Sequence, residues 1–98
     1  MSKYLMMWEL DTTKVPIDRK ERGGGFDLLM AMVKQDIEKG IIKDWGAFVG
    51  EINGYCIAEG TEVDIGNMMH QYVPFAFFRT YPIANVDQVT EIIKALSQ

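Results

Sequence analysis

Arg79 is the residue of this sequence best placed to do chemistry. It stands in the run Phe75-Ala76-Phe77-Phe78-Arg79-Thr80-Tyr81-Pro82-Ile83, two residues from Phe77 and two from Tyr81. In an extended segment that spacing puts all three side chains on one face. A guanidinium on a buried apolar face requires a partner, because a buried charge left unpaired is strongly destabilising. Glu9 and Glu59, the acids inside other strand-like segments, are the candidate carboxylates; the anionic group of a bound molecule is the alternative. Tyr81 and His70, the single histidine, are the weaker candidates for moving a proton.

Other reactive residue types have plainer readings. His70 lies five residues after Ile65, about 140° around a helix from it, so it is expected to be exposed and to hold no metal. Cys56 shares a strand face with Ala58 and is expected to be a buried, inert small hydrophobe. Gly23–Gly25 precede a helical pattern that starts at Phe26, with Arg19, Lys20 and Arg22 nearby. Such a loop could offer backbone N–H groups to an anion at a helix N-terminus. It matches neither the dinucleotide-binding nor the Walker spacing, so a flexible loop or a close backbone approach is the expectation.

Seven methionines and the aromatic residues supply a second pattern. Trp8, Trp45, Met68 and Phe77 are expected to line an apolar pocket for a planar small molecule between sheet and helices, with Arg79 as the polar handle. Core and interface packing is the plainer use of the same side chains.

The elements that must position these residues follow from the changes of period. Lys3–Asp11 reads as a strand. Phe26, Leu29, Met30, Val33 and Ile37 mark one face of a helix that Gly40 closes. Ile41–Glu51 and Tyr55–Glu59 are strand-like, and the Asn53-Gly54 pair between them predicts a tight hairpin turn. Thr61 and Asp64 cap a second helix with Ile65, Met68, Met69 and Tyr72 on its apolar stripe. Phe75–Ile83 is the last strand. Asn85 and Gln88 then cap a third helix bearing Val86, Val89, Ile92, Ile93 and Leu96 on one face. The order β-α-β-β-α-β plus a C-terminal helix predicts an α+β chain with a ferredoxin-like antiparallel sheet and helices on one face.

The strands are apolar on both sides. Tyr4, Met6, Trp8 and Leu10 oppose Leu5 and Met7 in the first; Phe77 and Tyr81 oppose Ala76 and Phe78 in the last. Two long helices cover one face only, so a second copy of the sheet is expected on the other, with the third helix helping at the edge. A charge in place of Trp8 is expected to dissociate that dimer or to prevent folding.

The element order, the Trp45-Gly46 strand, the Gly54-Tyr55-Cys56-Ile57-Ala58-Glu59 return and the aromatic last strand resemble the dimeric α/β-barrel superfamily. That superfamily includes small monooxygenases, muconolactone isomerases and stress-response barrel proteins; the likeness is greatest to its short members of unknown function. The resemblance implies a sheet-to-sheet homodimer and leaves open a cofactor-independent isomerase or monooxygenase activity. No named enzyme's catalytic signature transfers onto these residues.

Composition bounds the function classes. Ninety-eight residues make a single domain, 1–98, and 48% hydrophobic content is that of a folded chain. No apolar run reaches the length of a membrane span. A formal charge of −4 argues against nucleic acid, although RNA-binding domains share this element order. Their third strand carries spaced aromatics with a basic residue; here it reads Tyr55-Cys56-Ile57-Ala58-Glu59. One cysteine and a start that runs straight into a strand suggest the reducing cytoplasm. The expectation is a cytoplasmic homodimer that binds a small, largely apolar molecule, without metal or cofactor. The alternatives are the enzyme just named and a structural or regulatory assembly unit.

Overall fold

The computed structural model describes residues 2–98. Strand β1 (Ser2–Leu10) leads through a single 3-10 turn to helix α1 (Arg19–Glu38). Strands β2 (Ile42–Ala47) and β3 (Asn53–Gly60), helix α2 (Glu62–His70), strand β4 (Ala76–Ile83) and helix α3 (Val86–Leu96) follow. The four strands form one sheet in the order β2-β3-β1-β4, with every neighbouring pair antiparallel. This α+β arrangement of a four-stranded antiparallel sheet and three helices is compatible with the ferredoxin-like fold.

Register assigns the faces. Tyr4, Met6 and Trp8 stand opposite Ala58, Cys56 and Gly54 on β3. Across β4, Trp8 and Leu10 stand opposite Phe78 and Ala76. These residues make the face covered by α1 and α2, where Val33, Ile65, Met68 and Tyr72 complete the core. Leu5, Met7 and Glu9 point the other way, level with Ile57, Tyr55 and Asn53 on one side and Tyr81, Arg79 and Phe77 on the other. That second face is open, with Phe77 60% and Tyr81 49% exposed.

Three features depart from what the local sequence predicts. The helix expected from Phe26 begins at Arg19 and runs straight through Gly23–Gly25. Asp18 caps it by accepting from the Glu21 N–H, and the Arg22 guanidinium donates back to the Ile17 carbonyl at 3.0 Å. The Arg22 N–H already makes an intrahelical bond to Asp18, at 2.9 Å, so the glycines lie beyond the free N–H groups of the helix start. They form neither a loop nor an anion cradle, and a Cβ on any of them would meet nothing within 4 Å.

Asn53-Gly54 is not the hairpin turn either. Both residues lie inside β3, and the chain reverses over residues 48–52, where Gly50 takes φ +86°. The Phe48 N–H donates to the Asn53 carbonyl at 2.9 Å and closes that loop. Gly54 serves packing instead, since a Cβ there would run into the Gly46 carbonyl and the Trp8 indole.

The third difference is a bulge between Ile42 and Asp44. An uninterrupted strand would put Ile42 and Trp45 on opposite faces. The extra residue shifts the phase, and Ile42, Trp45 and Ala47 all stand on the helix-covered face, opposite Ala58, Cys56 and Gly54.

Both expected caps on the later helices form as reciprocal boxes, Thr61 with Asp64 and Asn85 with Gln88. Helix α3 nevertheless buries none of its residues; Val86 and Leu96 are each 81% exposed. It does not cover the open face of the sheet. The radius of gyration of 16.3 Å exceeds the roughly 13 Å of a compact 100-residue domain.

Candidate functional site

The bulge in β2 builds the site. By turning Trp45 toward the helices it lays that indole against Trp8 of β1, with ring centroids 5.4 Å apart and planes within 9°. The Trp8 indole N–H donates to the Tyr55 carbonyl at 3.2 Å, so its polar edge is satisfied within the sheet. Over this pair opens a cleft of about 320 Å³. Phe26, Leu29, Met30 and Val33 of α1 line its helix side, together with Met68 and Tyr72. Cys56 and Phe78 lie in the floor, and Glu51 and Ile52 of the β2–β3 loop stand at its edge.

Behind Tyr72 is Asp36, wholly buried on the inner face of α1. It accepts from the Tyr72 hydroxyl at 2.7 Å and from the Gln71 side-chain amide at 3.4 Å. Burial, and then the hydrogen bond to Asp36, push the Tyr72 phenol well above its ordinary range. Burial and the Asp36 charge push the Cys56 thiol up to about 11. At neutral pH both groups therefore keep their protons. The thiol is the buried, unreactive group expected of it.

The residues singled out in sequence fall on two sides of the sheet. Trp8, Trp45 and Met68 come together in the cleft. Phe77, Arg79 and Tyr81 share one face as expected, but it is the open one, and Phe77 is not part of the cleft. There they line a second concavity of about 370 Å³ with Met7, Glu9 and Asn53. Arg79 is exposed and, among the described residues, makes no ion pair; neither Glu9 nor Glu59 holds it. Glu59 instead approaches Lys43 at 3.9 Å. The anchor expected in the pocket is thus separated from it by the thickness of the sheet. Trp8 lines the cleft and also borders the second concavity, so a charge at that position bears on both.

His70 is exposed at the end of α2, as its angle from Ile65 required. It lies in neither concavity, so His70, Arg79 and Tyr81 do not assemble into one catalytic group. Among the described residues no cluster of three or more His, Cys, Asp or Glu side chains could hold a metal ion. Among the described residues no helix is long and apolar enough to cross a membrane.

Sequence reasoning missed Asp36. Its signal was present: Asp36 follows Val33 by three residues and Leu29 by seven, which puts a carboxylate on the apolar stripe of α1. Ile37, assigned to that stripe, is 46% exposed. No protein-family model and no curated protein matches this chain.

Proposed function

We propose that this protein is a cytoplasmic homodimer of ferredoxin-like subunits, akin to the short members of the dimeric α/β-barrel superfamily. Each subunit binds a small, planar, largely apolar molecule in the cleft over Trp8 and Trp45. The observation that carries this reading is the parallel indole pair in an otherwise aliphatic and aromatic cleft of about 320 Å³. Ligand sites are concave and mostly apolar, with few polar groups. Binding is favoured over the isomerase or monooxygenase alternative because Arg79 and Tyr81 lie on the open face and His70 in neither concavity, so the residues expected to carry that chemistry do not meet in the cleft.

The open face supports self-association. Leu5, Met7, Ile57, Phe77 and Tyr81 form an apolar field that carries both Glu9 and Arg79. Across a two-fold axis the same patch meets itself, so an arginine without a partner in its own chain can reach a carboxylate of the second copy.

Both tryptophans of the chain lie at the cleft, which makes their fluorescence the direct probe. Titration with planar aromatic compounds should quench or shift the emission and raise the melting temperature together. Emission and melting temperature that both stay constant across a broad aromatic library would refute ligand binding.

A further inference from the structure

We infer that the cleft selects an amphipathic organic cation, whose aromatic body lies over the two indoles and whose ammonium group is held at Glu51. This deepens the small-molecule reading above and rests on it. Among the described residues no lysine, arginine or histidine lines the cleft, and Glu51 is the one acidic residue of its wall. A second acid, Asp36, lies buried behind Tyr72 and adds to the negative potential inside. A carboxylate or phosphate entering this space would lose its hydration and meet acids alone.

An ammonium meets the reverse conditions. Glu51 is exposed in the loop at the edge of the cleft, so a cation there keeps part of its water while the attached ring enters the apolar space. The outer face of the stacked Trp8–Trp45 pair, the one not turned on its neighbour, adds attraction for a positive group close to it. Arg79 is level with Met7 on the opposite face of the sheet and does not line this cleft, so it is not a competing anion anchor there. The chemical class is therefore an arylalkylamine or a related protonated aromatic amine rather than an aromatic acid.

The test compares three probes of one shape by calorimetry at low ionic strength: phenethylamine, phenethyl alcohol and hydrocinnamate. The amine is expected to bind about threefold or more tighter than the alcohol, the range of an exposed charge pair. Hydrocinnamate should bind weakest. Raising the salt should shrink the amine-to-alcohol ratio, and Glu51→Gln should bring it close to one. Glu51 is exposed, and among the described residues its carboxylate has no ion-pair partner, so the variant keeps the fold. An amine-to-alcohol ratio near one in the wild type, a ratio that survives Glu51→Gln, or hydrocinnamate as the tightest probe overturns the inference while leaving the cleft a binding site. If neither amine nor alcohol binds, the small-molecule reading falls with it.

Discussion

The hydroxyl of Tyr72 lies 2.7 Å from the carboxylate of Asp36, tying the chain just beyond α2 to the inner face of α1. Asp36 is the only buried charged side chain among the described residues, and its other side-chain donor is Gln71 at 3.4 Å. Tyr72→Phe should therefore cost about 1–3 kcal/mol, the penalty for a buried group left short of a partner. Replacing both residues, Asp36→Leu with Tyr72→Phe, should cost less than the two single changes added together. Urea unfolding of the four proteins closes the cycle, and simple additivity would mean that the pair is not coupled.

Alkaline pH should weaken the fold through the floor of the cleft. The Cys56 thiol rises from an ordinary value of 9.0 to about 11 on folding. Between those values the unfolded chain has released a proton that the folded chain retains. The contribution is therefore complete below pH 9 and disappears as the pH passes about 11. Tyr72, also raised, acts in the same direction at higher pH. Cys56→Ala should flatten the part of the decline that starts near pH 9, as read from denaturant midpoints across the range.

Gly24→Ala should stabilise the protein by about 1 kcal/mol, since glycine in a helix interior gives up that much to alanine. The new methyl group has open space around it. Gly23 and Gly25 should behave alike. A loss of stability at all three, measured by chemical denaturation, would contradict a helix that runs through them.

Gly54→Ala should act in the opposite sense. Its methyl group would strike the Gly46 carbonyl and push against the Trp8 ring. A destabilisation of about 1–3 kcal/mol is expected from such overpacking. The same variant should lose the near-ultraviolet circular dichroism of the stacked Trp8–Trp45 pair, which separates damage at the indoles from a general weakening.

Phe77→Glu should weaken self-association by about tenfold or more, as loss of an aromatic anchor at an interface does. Val63→Glu, on the exposed side of α2, is the matched control and should change nothing. Sedimentation velocity across a concentration series distinguishes the two.

Periodicity and capping residues made the order of elements legible, because both act locally. Thr61 with Asp64 and Asn85 with Gln88 mark helix starts whatever surrounds them. The errors occurred where tertiary contacts override local preference. Asn53-Gly54 has the chemistry of a turn, yet the Trp8 ring needs the space over Gly54, and the chain reverses earlier. Gly23–Gly25 would end most helices, but a firm cap at Asp18 and the packing of Leu29, Met30 and Val33 carry α1 through them. The site was half legible. Trp8, Trp45 and Met68 line one cleft, whereas the bulge that turns Trp45 inward has no local signature in Ile42-Lys43-Asp44. Counting alternation along β4 correctly joined Phe77, Arg79 and Tyr81, but it did not tell which side of the sheet they occupy.

Helix α3 draws on none of the burial that holds the rest of the chain together. With 11 residues it is shorter than the roughly 12–15 at which a helix becomes marginally stable alone in water. Its capping box and its pairing of Lys94 with Glu91 are local and weak. The order of this segment is thus decoupled from the folding of β1 to β4 and tied to whatever meets its row of isoleucines and valines. Amide exchange along α3 then becomes a gauge of occupancy: protection there should rise with protein concentration, while that of β1 stays constant.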